Sequence, residues 1–298
     1  MKNKDLLDSI KSRVLLCDGA MGTMLQAEGL AAGECPELWN LTKPESVTGI
    51  HKKYIEAGAD MVLSNTFGAN RLKLEKFNLD GKLREINEAG VKNAKTAAGN
   101  SPVYVGGDIG PTGEMLEPYG TMTAEKAFAA FSEQAKILAG AGADFIIVET
   151  MIAIEETALA VKAAKSVTKL PVMALMTFKI NNGDVRTVMG VDTETMAKQL
   201  EAAGADIIGA NCGYGIDSMI EIVRAIKKHT NRLIIAEPNA GLPVMKDGVV
   251  TYDGSPEIMA SRVEELIDAG ANIIGGCCGT TPVHIAQIKK MVERRNTK

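Results

Sequence analysis

The tetrapeptide Ala57-Gly58-Ala59-Asp60 occurs in nearly the same form four times along the chain. The other copies are Ala141-Gly142-Ala143-Asp144, Ala203-Gly204-Ala205-Asp206 and Ala269-Gly270-Ala271-Asn272. Each copy precedes a short apolar run, and its glycine suits the left-handed residue that ends a helix. The repeat therefore predicts four junctions at which a helix ends and a buried strand begins.

Apolar runs typical of buried strands follow these junctions and also lie between them. The runs are 14–17, 61–63, 103–105, 145–148, 172–176, 207–208, 233–236 and 273–274. The segments between them have helical periodicity, with helix-start signals at Thr42, Ser255 and Thr281. Even alternation of eight strands with helices predicts an α/β protein with a (β/α)8 TIM barrel, and an open doubly wound sheet is the alternative.

The chain contains no Pro/Gly/Ser-rich linker that would divide it into separate units. A long loop is predicted over residues 108–122, after the third strand. Barrels of this kind typically need about 250 residues. Residues 1–298 are therefore predicted to form one barrel domain.

Composition narrows the classes of partner and compartment. The formal net charge of -4 gives no electrostatic reason to expect a nucleic acid or a membrane surface as partner. The first residues lack the apolar core of a signal peptide, and no later stretch approaches the roughly 20 apolar residues of a membrane span. We therefore expect a cytoplasmic protein that acts on small molecules. Five cysteines in such a chain favour metal binding or catalysis over a disulfide framework.

Three of the five cysteines follow predicted strands at the rim where TIM barrels carry their active sites. Cys212 follows the sixth strand, and Cys277 and Cys278 follow the eighth. Strand ends one strand apart can share an ion, and a catalytic zinc typically takes three protein ligands and keeps one open position. The sequence therefore predicts a Zn²⁺ site made by these thiolates, against the alternative that small, soft cysteines simply pack the barrel.

The other candidate ligands are predicted to lie elsewhere. Cys17 falls inside the first strand, and Cys35 falls in a loop beside a proline. The histidines His51, His229 and His284 fall in predicted helical segments. A zinc ion held by thiolates alone is a poor Lewis acid for hydrolysis but still binds and deprotonates an incoming thiol. Alkyl transfer to a substrate thiol is therefore the chemistry that the site favours.

Polar groups at the same rim could recognise an amino acid. Glu149 follows the fourth strand and Asp18 the first, and both carboxylates can accept hydrogen bonds from an ammonium group. Backbone amides of the turn that includes Gly19 and Ala20 could hold a carboxylate. Asp18 could instead cap the following helix.

Motifs at the predicted rim are Asp18-Gly19-Ala20-Met21-Gly22-Thr23, Asn65-Thr66-Phe67, Glu149-Thr150, Asn211-Cys212-Gly213 and Gly275-Gly276-Cys277-Cys278-Gly279-Thr280. Together they resemble the homocysteine S-methyltransferase family over nearly the whole chain, and in particular the homocysteine-binding module of cobalamin-dependent methionine synthase. The resemblance implies a methyltransferase that forms methionine, with homocysteine as acceptor and Zn²⁺ held by the three cysteines. It also implies that Glu149, helped by the turn at Asp18, binds the amino group, and that Asn239 ligates zinc in the substrate-free state.

The resemblance implies methylcobalamin or another methylated corrinoid as the methyl donor. The cobalamin domains of the family carry an Asp-x-His-x-x-Gly motif, whereas the residues two before the histidines here are Gly49, Lys227 and Pro282. This sequence is therefore not expected to hold cobalamin tightly, and a corrinoid protein or a cobalamin module outside it would present the donor.

The sequence leaves alternatives open for the methyl donor and for the class of protein. S-methylmethionine and S-adenosylmethionine are alternative donors, and betaine is disfavoured because aromatic residues, which form cages for quaternary ammonium groups, make up only 4% of the chain. A barrel aldolase or decarboxylase would need a lysine or a phosphate-binding loop where this chain has Cys277 and Cys278. A non-catalytic zinc-binding protein would usually supply a fourth protein ligand.

Overall fold

The computed structural model describes residues 5–246 and 249–297, so the outermost residues of the predicted domain, 1–4 and 298, lie outside the described residues. The strands, in chain order, are β1 (Leu15–Leu16), β2 (Met61–Leu63), β3 (Tyr104–Ile109), β4 (Phe145–Met151), β5 (Val172–Met176), β6 (Lys179–Asn181), β7 (Asp184–Arg186), β8 (Ile207–Asn211), β9 (Leu233–Glu237), β10 (Pro243–Lys246), β11 (Val249–Tyr252) and β12 (Ile273–Ile274).

Helices cover the outside of the sheet. They are α1 (Leu6–Ser12), α2 (Gly22–Ala27), α3 (Trp39–Thr42), α4 (Pro44–Glu56), α5 (Arg71–Glu75), α6 (Leu83–Ala98), α7 (Ala124–Gly140), α8 (Ile154–Val167), α9 (Thr193–Ala203), α10 (Ile216–Lys227), α11 (Pro256–Ser261), α12 (Val263–Ala269) and α13 (Pro282–Asn296). None of the helices within residues 5–246 and 249–297 combines the length and apolar character that crossing a membrane requires.

Eight parallel strands form a closed barrel. Their order is β1-β12-β9-β8-β5-β4-β3-β2, with every neighbouring pair parallel. A parallel bridge between Cys17 and Met61 joins the two end strands, and the Asp60 N–H donates to the Leu16 carbonyl at 2.7 Å. The prediction of a single-domain (β/α)8 barrel is confirmed, and the open sheet is excluded.

The four repeated tetrapeptides lie at the helix-to-strand junctions, as predicted. Their glycines have φ angles of 98° at Gly58, 97° at Gly142, 101° at Gly204 and 121° at Gly270. Residues other than glycine rarely adopt such φ angles. The glycine in each copy is therefore what allows the chain to leave a helix and enter the barrel directly.

The barrel interior is packed at its amino-terminal end. Met61, Phe145, Met173 and Ile207 point inward from four strands and are fully buried. Helix α1 covers this end and contributes apolar side chains, including Ile10, to the same cluster. Space for a ligand is therefore left at the opposite, carboxyl-terminal end of the strands, where TIM barrels bind substrates.

Two hairpins were not predicted. Strands β6 and β7 pair antiparallel, as do β10 and β11, and neither pair belongs to the barrel. Both hairpins extend from loops at the carboxyl-terminal rim, after β5 and after β9. Strands β6 and β7 are short and largely exposed, and their sequences lack the apolar runs that identified the barrel strands.

Several predicted element ends differ from the observed ones; for example, β8 continues to Asn211. Strand β3 continues to Ile109, so Asp108 lies in the strand and the long loop starts only after it. Strand β4 continues past Glu149 to Met151. Thr42 ends α3 instead of capping α4, whose N-cap is Lys43, whereas Ser255 and Thr281 are N-caps as predicted.

Candidate metal centre and substrate pocket

The three rim cysteines lie together. The Sγ atoms of Cys212, Cys277 and Cys278 are all within 4.8 Å of one another, and those of Cys212 and Cys278 are 3.9 Å apart. A tetrahedral zinc with Zn–S bonds of about 2.3 Å separates its sulfurs by about 3.8 Å. The cluster therefore has the dimensions of a three-sulfur zinc site with little rearrangement.

The backbone around the cysteines explains how residues adjacent in sequence reach one point. The Cys277 N–H donates to the Pro238 carbonyl at 2.9 Å, and the Ala240 N–H donates to the Cys278 carbonyl at 3.0 Å. Cys212 has a φ of 62°, which turns its side chain out of the alternation of β8. The sulfur cluster is thus fixed by hydrogen bonds between three strand ends.

The proximity of the thiols changes their acidity. Hydrogen bonds from Cys277 and Cys278 lower the pKa of Cys212 to about 3. The same hydrogen bonds to Cys212, together with burial, raise the pKa of Cys277 and that of Cys278, the latter to about 11. One thiolate therefore forms readily, and a cation in the cluster would replace the protons that the other two retain.

An asparagine adds an oxygen atom beside the sulfurs. The Asn239 side chain is buried and lies close enough to Cys212 to lower the pKa of its thiol. Its Oδ1 atom has no hydrogen-bond partner among the described residues. A buried polar atom without a partner is costly, and a zinc ion in the cluster would satisfy it. Three thiolates and one amide oxygen therefore make a donor set that fits zinc.

A cavity of about 340 Å³ extends from the cysteines across the rim. Among the residues that the structure describes, five carboxyl side chains line it and no Lys, Arg or His does. The acidic residues are Asp18, Glu37, Asp108, Glu149 and Glu237. Such a cavity favours a ligand with a cationic group.

Burial raises the pKa of most of these carboxyls. It raises the pKa of Asp18 to about 8 and that of Glu149 to about 7, and it raises the pKa of Asp108 and that of Glu237 well above the usual range. The carboxyls of Glu149 and Glu237 lie close enough to influence each other's pKa and to share a proton. The carboxyls that line the cavity are therefore partly protonated near neutral pH, and an ammonium group could take the place of a proton.

The predicted amino-acid-binding residues line this cavity together. Asp18 does not cap α2; its Oδ2 atom accepts a hydrogen bond from the Leu63 N–H at 3.0 Å. Gly19 is required by close packing, because a Cβ there would lie 2.6 Å from the Thr280 Oγ1 atom. The Ala20 N–H already donates to Thr280 Oγ1 at 3.1 Å. This N–H is therefore less available to a substrate carboxylate than the sequence of the turn alone suggests.

The remaining cysteines and histidines lie away from the sulfur cluster. Cys17 is buried in the barrel and Cys35 hydrogen bonds to Glu37 at 3.2 Å. His51 lies in α4 and His284 in α13, whereas His229 follows the end of α10 and is not helical as predicted.

One residue beside the sulfur cluster was not predicted from the sequence. Tyr252, on β11, lies close enough to Cys278 to affect the pKa of its thiol, and its ring lies 2.2 Å from where a Cβ on Gly279 would be. Its position depends on the unpredicted hairpin.

The (β/α)8 barrel has a three-thiol cluster and an acidic cavity at its carboxyl-terminal rim. This arrangement is typical of an enzyme that can act on thiols. Residues 15–292 match the model of the homocysteine S-methyltransferase family, and the chain belongs to that family. It is therefore a methyltransferase, and this argues against the alternative of a non-catalytic zinc-binding protein.

Methionine synthases of two species are similar to the chain in sequence. That of Mycobacterium leprae is 33% identical over 98% of this chain, and that of Mycobacterium tuberculosis is 34% identical over 97%. The chain spans only 25% of the length of either relative.

Among solved structures, the metallated form of the homocysteine methyltransferase MmuM from Escherichia coli has a TM-score of 0.79. The match is 22% identical and covers 97% of this chain and 99% of that one. At this identity the likeness supports the fold.

Proposed function

We propose that this chain transfers a methyl group to the sulfur of homocysteine and forms methionine, at a zinc ion held by Cys212, Cys277 and Cys278. The observation that carries the proposal is the cluster of three thiols, with Sγ atoms within 4.8 Å of one another, at one end of an acidic cavity. Bound zinc would supply a site at which a substrate thiol loses its proton at neutral pH and stays nucleophilic. Asn239 Oδ1 would complete the donor set when no substrate is present.

The cavity residues would bind the amino-acid part of the substrate. Glu149 would accept the ammonium group, with Asp18 beside it, and the turn at Gly19 and Ala20 would face the substrate carboxylate. The substrate sulfur would then lie at the cysteines, because the cavity connects the two groups. Holding thiol and amino acid in one enclosed place fixes the direction in which the sulfur attacks the methyl carbon.

We propose a methylated corrinoid, such as methylcobalamin, as the donor. The support is the sequence similarity to two methionine synthases and the position of the cysteines at an open barrel rim. The sulfur forms a bond to the methyl carbon while the carbon–cobalt bond breaks and leaves its electron pair on cobalt. A corrinoid protein or a cobalamin module outside this sequence would present the donor, because the Asp-x-His-x-x-Gly motif is absent from the sequence.

A sulfonium donor is the second candidate, and the charge of the cavity favours it. Within the described part of the chain, five carboxyls and no basic side chain line the space beside the cysteines. S-methylmethionine and S-adenosylmethionine both carry a positive sulfonium group, which such a cavity would attract.

A panel of donors distinguishes the candidates. The zinc-loaded protein is incubated with homocysteine and, separately, methylcobalamin, S-methylmethionine, S-adenosylmethionine, betaine or methyltetrahydrofolate, and methionine is quantified. We expect methionine from methylcobalamin and none from methyltetrahydrofolate alone. Efficient turnover with a sulfonium donor and none with methylcobalamin would replace the corrinoid assignment and leave the acceptor unchanged.

A further inference from the structure

Asn211 is the first residue of the Asn-Cys-Gly motif, and neither metal binding nor substrate binding has so far given it a role. It ends β8, is fully buried, and directly precedes Cys212. Its side chain crosses to the neighbouring part of the rim, where β4 carries Glu149 and Thr150. The residue therefore joins two parts of the site that lie far apart in sequence.

Hydrogen bonds fix the orientation of the Asn211 amide. The Thr150 N–H donates to Asn211 Oδ1 at 2.9 Å, so the Nδ2 group must point the other way. Nδ2 lies 2.9 Å from Thr150 Oγ1 and 3.0 Å from Glu149 Oε2, and donates to both. It also lies 3.9 Å from the Cys277 sulfur. One amide thus contacts the carboxylate, its neighbour and the sulfur cluster.

The backbone at Thr150 shows why this amide matters. Thr150 has a φ of 59°, an angle that a β-branched residue rarely adopts. Two hydrogen bonds between Asn211 and Thr150, one accepted by Oδ1 and one donated by Nδ2 of Asn211, hold Thr150 in that conformation. The turn at Thr150 in turn directs the adjacent Glu149 carboxylate into the cavity.

We infer that Asn211 is a positioning residue that holds the Glu149 carboxylate at a fixed place relative to the sulfur cluster, and so makes recognition of the substrate amino group specific. This inference rests on the proposed function, in which Glu149 binds the ammonium group. A hydrogen bond to a charged group contributes enough for its loss to change binding by about tenfold or more.

The test is the ratio of two affinities, measured by calorimetry on zinc-loaded protein. One ligand is homocysteine, and the other is its des-amino analogue, which keeps the thiol and the carboxylate. In Asn211→Ser we expect this ratio to fall by about tenfold, because only the ligand with an ammonium group depends on Glu149. Zinc content should be unchanged. A merely structural role would weaken both ligands alike, and that result would overturn the inference.

Two further variants make the result specific. Asn87→Ser removes another fully buried amide, which donates to the carbonyls of Ala69 and Leu83, residues that do not line the cavity, and should leave the ratio unchanged. Asn211→Asp keeps the acceptor for the Thr150 N–H but removes the donor to Glu149, and should lower the ratio as Asn211→Ser does. If Asn211→Ser does not fold, Asn211→Asp decides the question by the same criterion.

A double-mutant cycle separates this inference from the proposed function. In a Glu149→Gln background, Asn211→Ser should lower the ratio little further, because Asn211 acts through Glu149. Fully additive losses would overturn the role of Asn211. An unchanged ratio in Glu149→Gln alone would overturn the amino-group assignment itself, whereas a loss in Glu149→Gln that Asn211→Ser does not share would overturn only the positioning role.

Discussion

Replacing Asp18 by asparagine is expected to stabilise the zinc-free, substrate-free protein at neutral pH while weakening homocysteine binding. Burial raises the pKa of Asp18 to about 8 in the folded chain. The unfolded value is about 3.9. Folding at pH 7 therefore requires the carboxyl to take up a proton, at a cost of about 1.4 kcal/mol for each pH unit above 3.9, or about 4 kcal/mol in total.

Asparagine of nearly the same shape has no such cost, although its amide must find hydrogen-bond partners. We expect Asp18→Asn to raise the free energy of unfolding at pH 7 by about 2 to 4 kcal/mol. Because the folded state binds the extra proton, the Asp18 contribution to stability declines as pH rises from about 4 to about 8. Asp18→Asn should lack this decline. Between pH 5 and 7, its free energy of unfolding should therefore fall less steeply with pH than that of the wild type, by a difference of about 1.4 kcal/mol per pH unit.

The assay is urea unfolding at several pH values with a chelator and a reductant present, followed by fluorescence of the buried Trp39, the only tryptophan. Asp268→Asn, at an exposed ion pair with Arg295, is the control and should not change the pH slope. Identical pH slopes for Asp18→Asn and wild type would refute the reasoning, as would a loss of stability in the variant at pH 7.

Three further predictions follow from the site and the core. Cys277→Ser should lose the bound zinc and the methyl transfer, whereas Cys35→Ser should retain both; metal analysis that finds full zinc and activity in Cys277→Ser would reject the site. Below the free thiol pKa, homocysteine binding should release about one proton more than homoserine binding, because only homocysteine has a thiol that zinc can ionise; calorimetry in buffers of different ionisation enthalpy measures this difference. Burial lowers the pKa of His51 to about 4, so the unfolded state binds more protons below about pH 6.5 and stability falls with acidification, by up to about 3 kcal/mol. His51→Leu should remove that loss, and equal acid sensitivity of the two proteins in urea unfolding would contradict the assignment.

The barrel could be predicted because its signals are local and repeated. Gly58 and its three counterparts mark helix ends by their φ angles, and the runs after them are apolar because they are buried on both faces. The β6–β7 hairpin had a local signal that was overlooked. Asn182 and Gly183, with φ angles of 50° and 82°, form the Asn-Gly pair that is typical of a tight hairpin turn.

The sequence predicts which residues lie at each strand end, but it does not predict the contacts between residues from different strand ends. The rim position of the three cysteines follows from the order of strands and needs no side-chain geometry. The hydrogen bond from Asn211 to Glu149 joins residues 62 positions apart and depends on the strained turn at Thr150, which no local pattern predicts. The raised pKa of Asp18 likewise depends on burial, which only the assembled barrel creates.

The central claim is that the three cysteine sulfurs hold a zinc ion that also binds the sulfur of homocysteine. Zinc-edge X-ray absorption on the zinc-loaded protein measures this directly, because it counts the sulfur atoms around the metal. We expect three sulfurs and one oxygen or nitrogen at about 2.3 Å and about 2.0 Å without substrate, and four sulfurs after homocysteine is added. A sulfur count that stays the same when homocysteine is added, or a count below three at the start, would contradict the account.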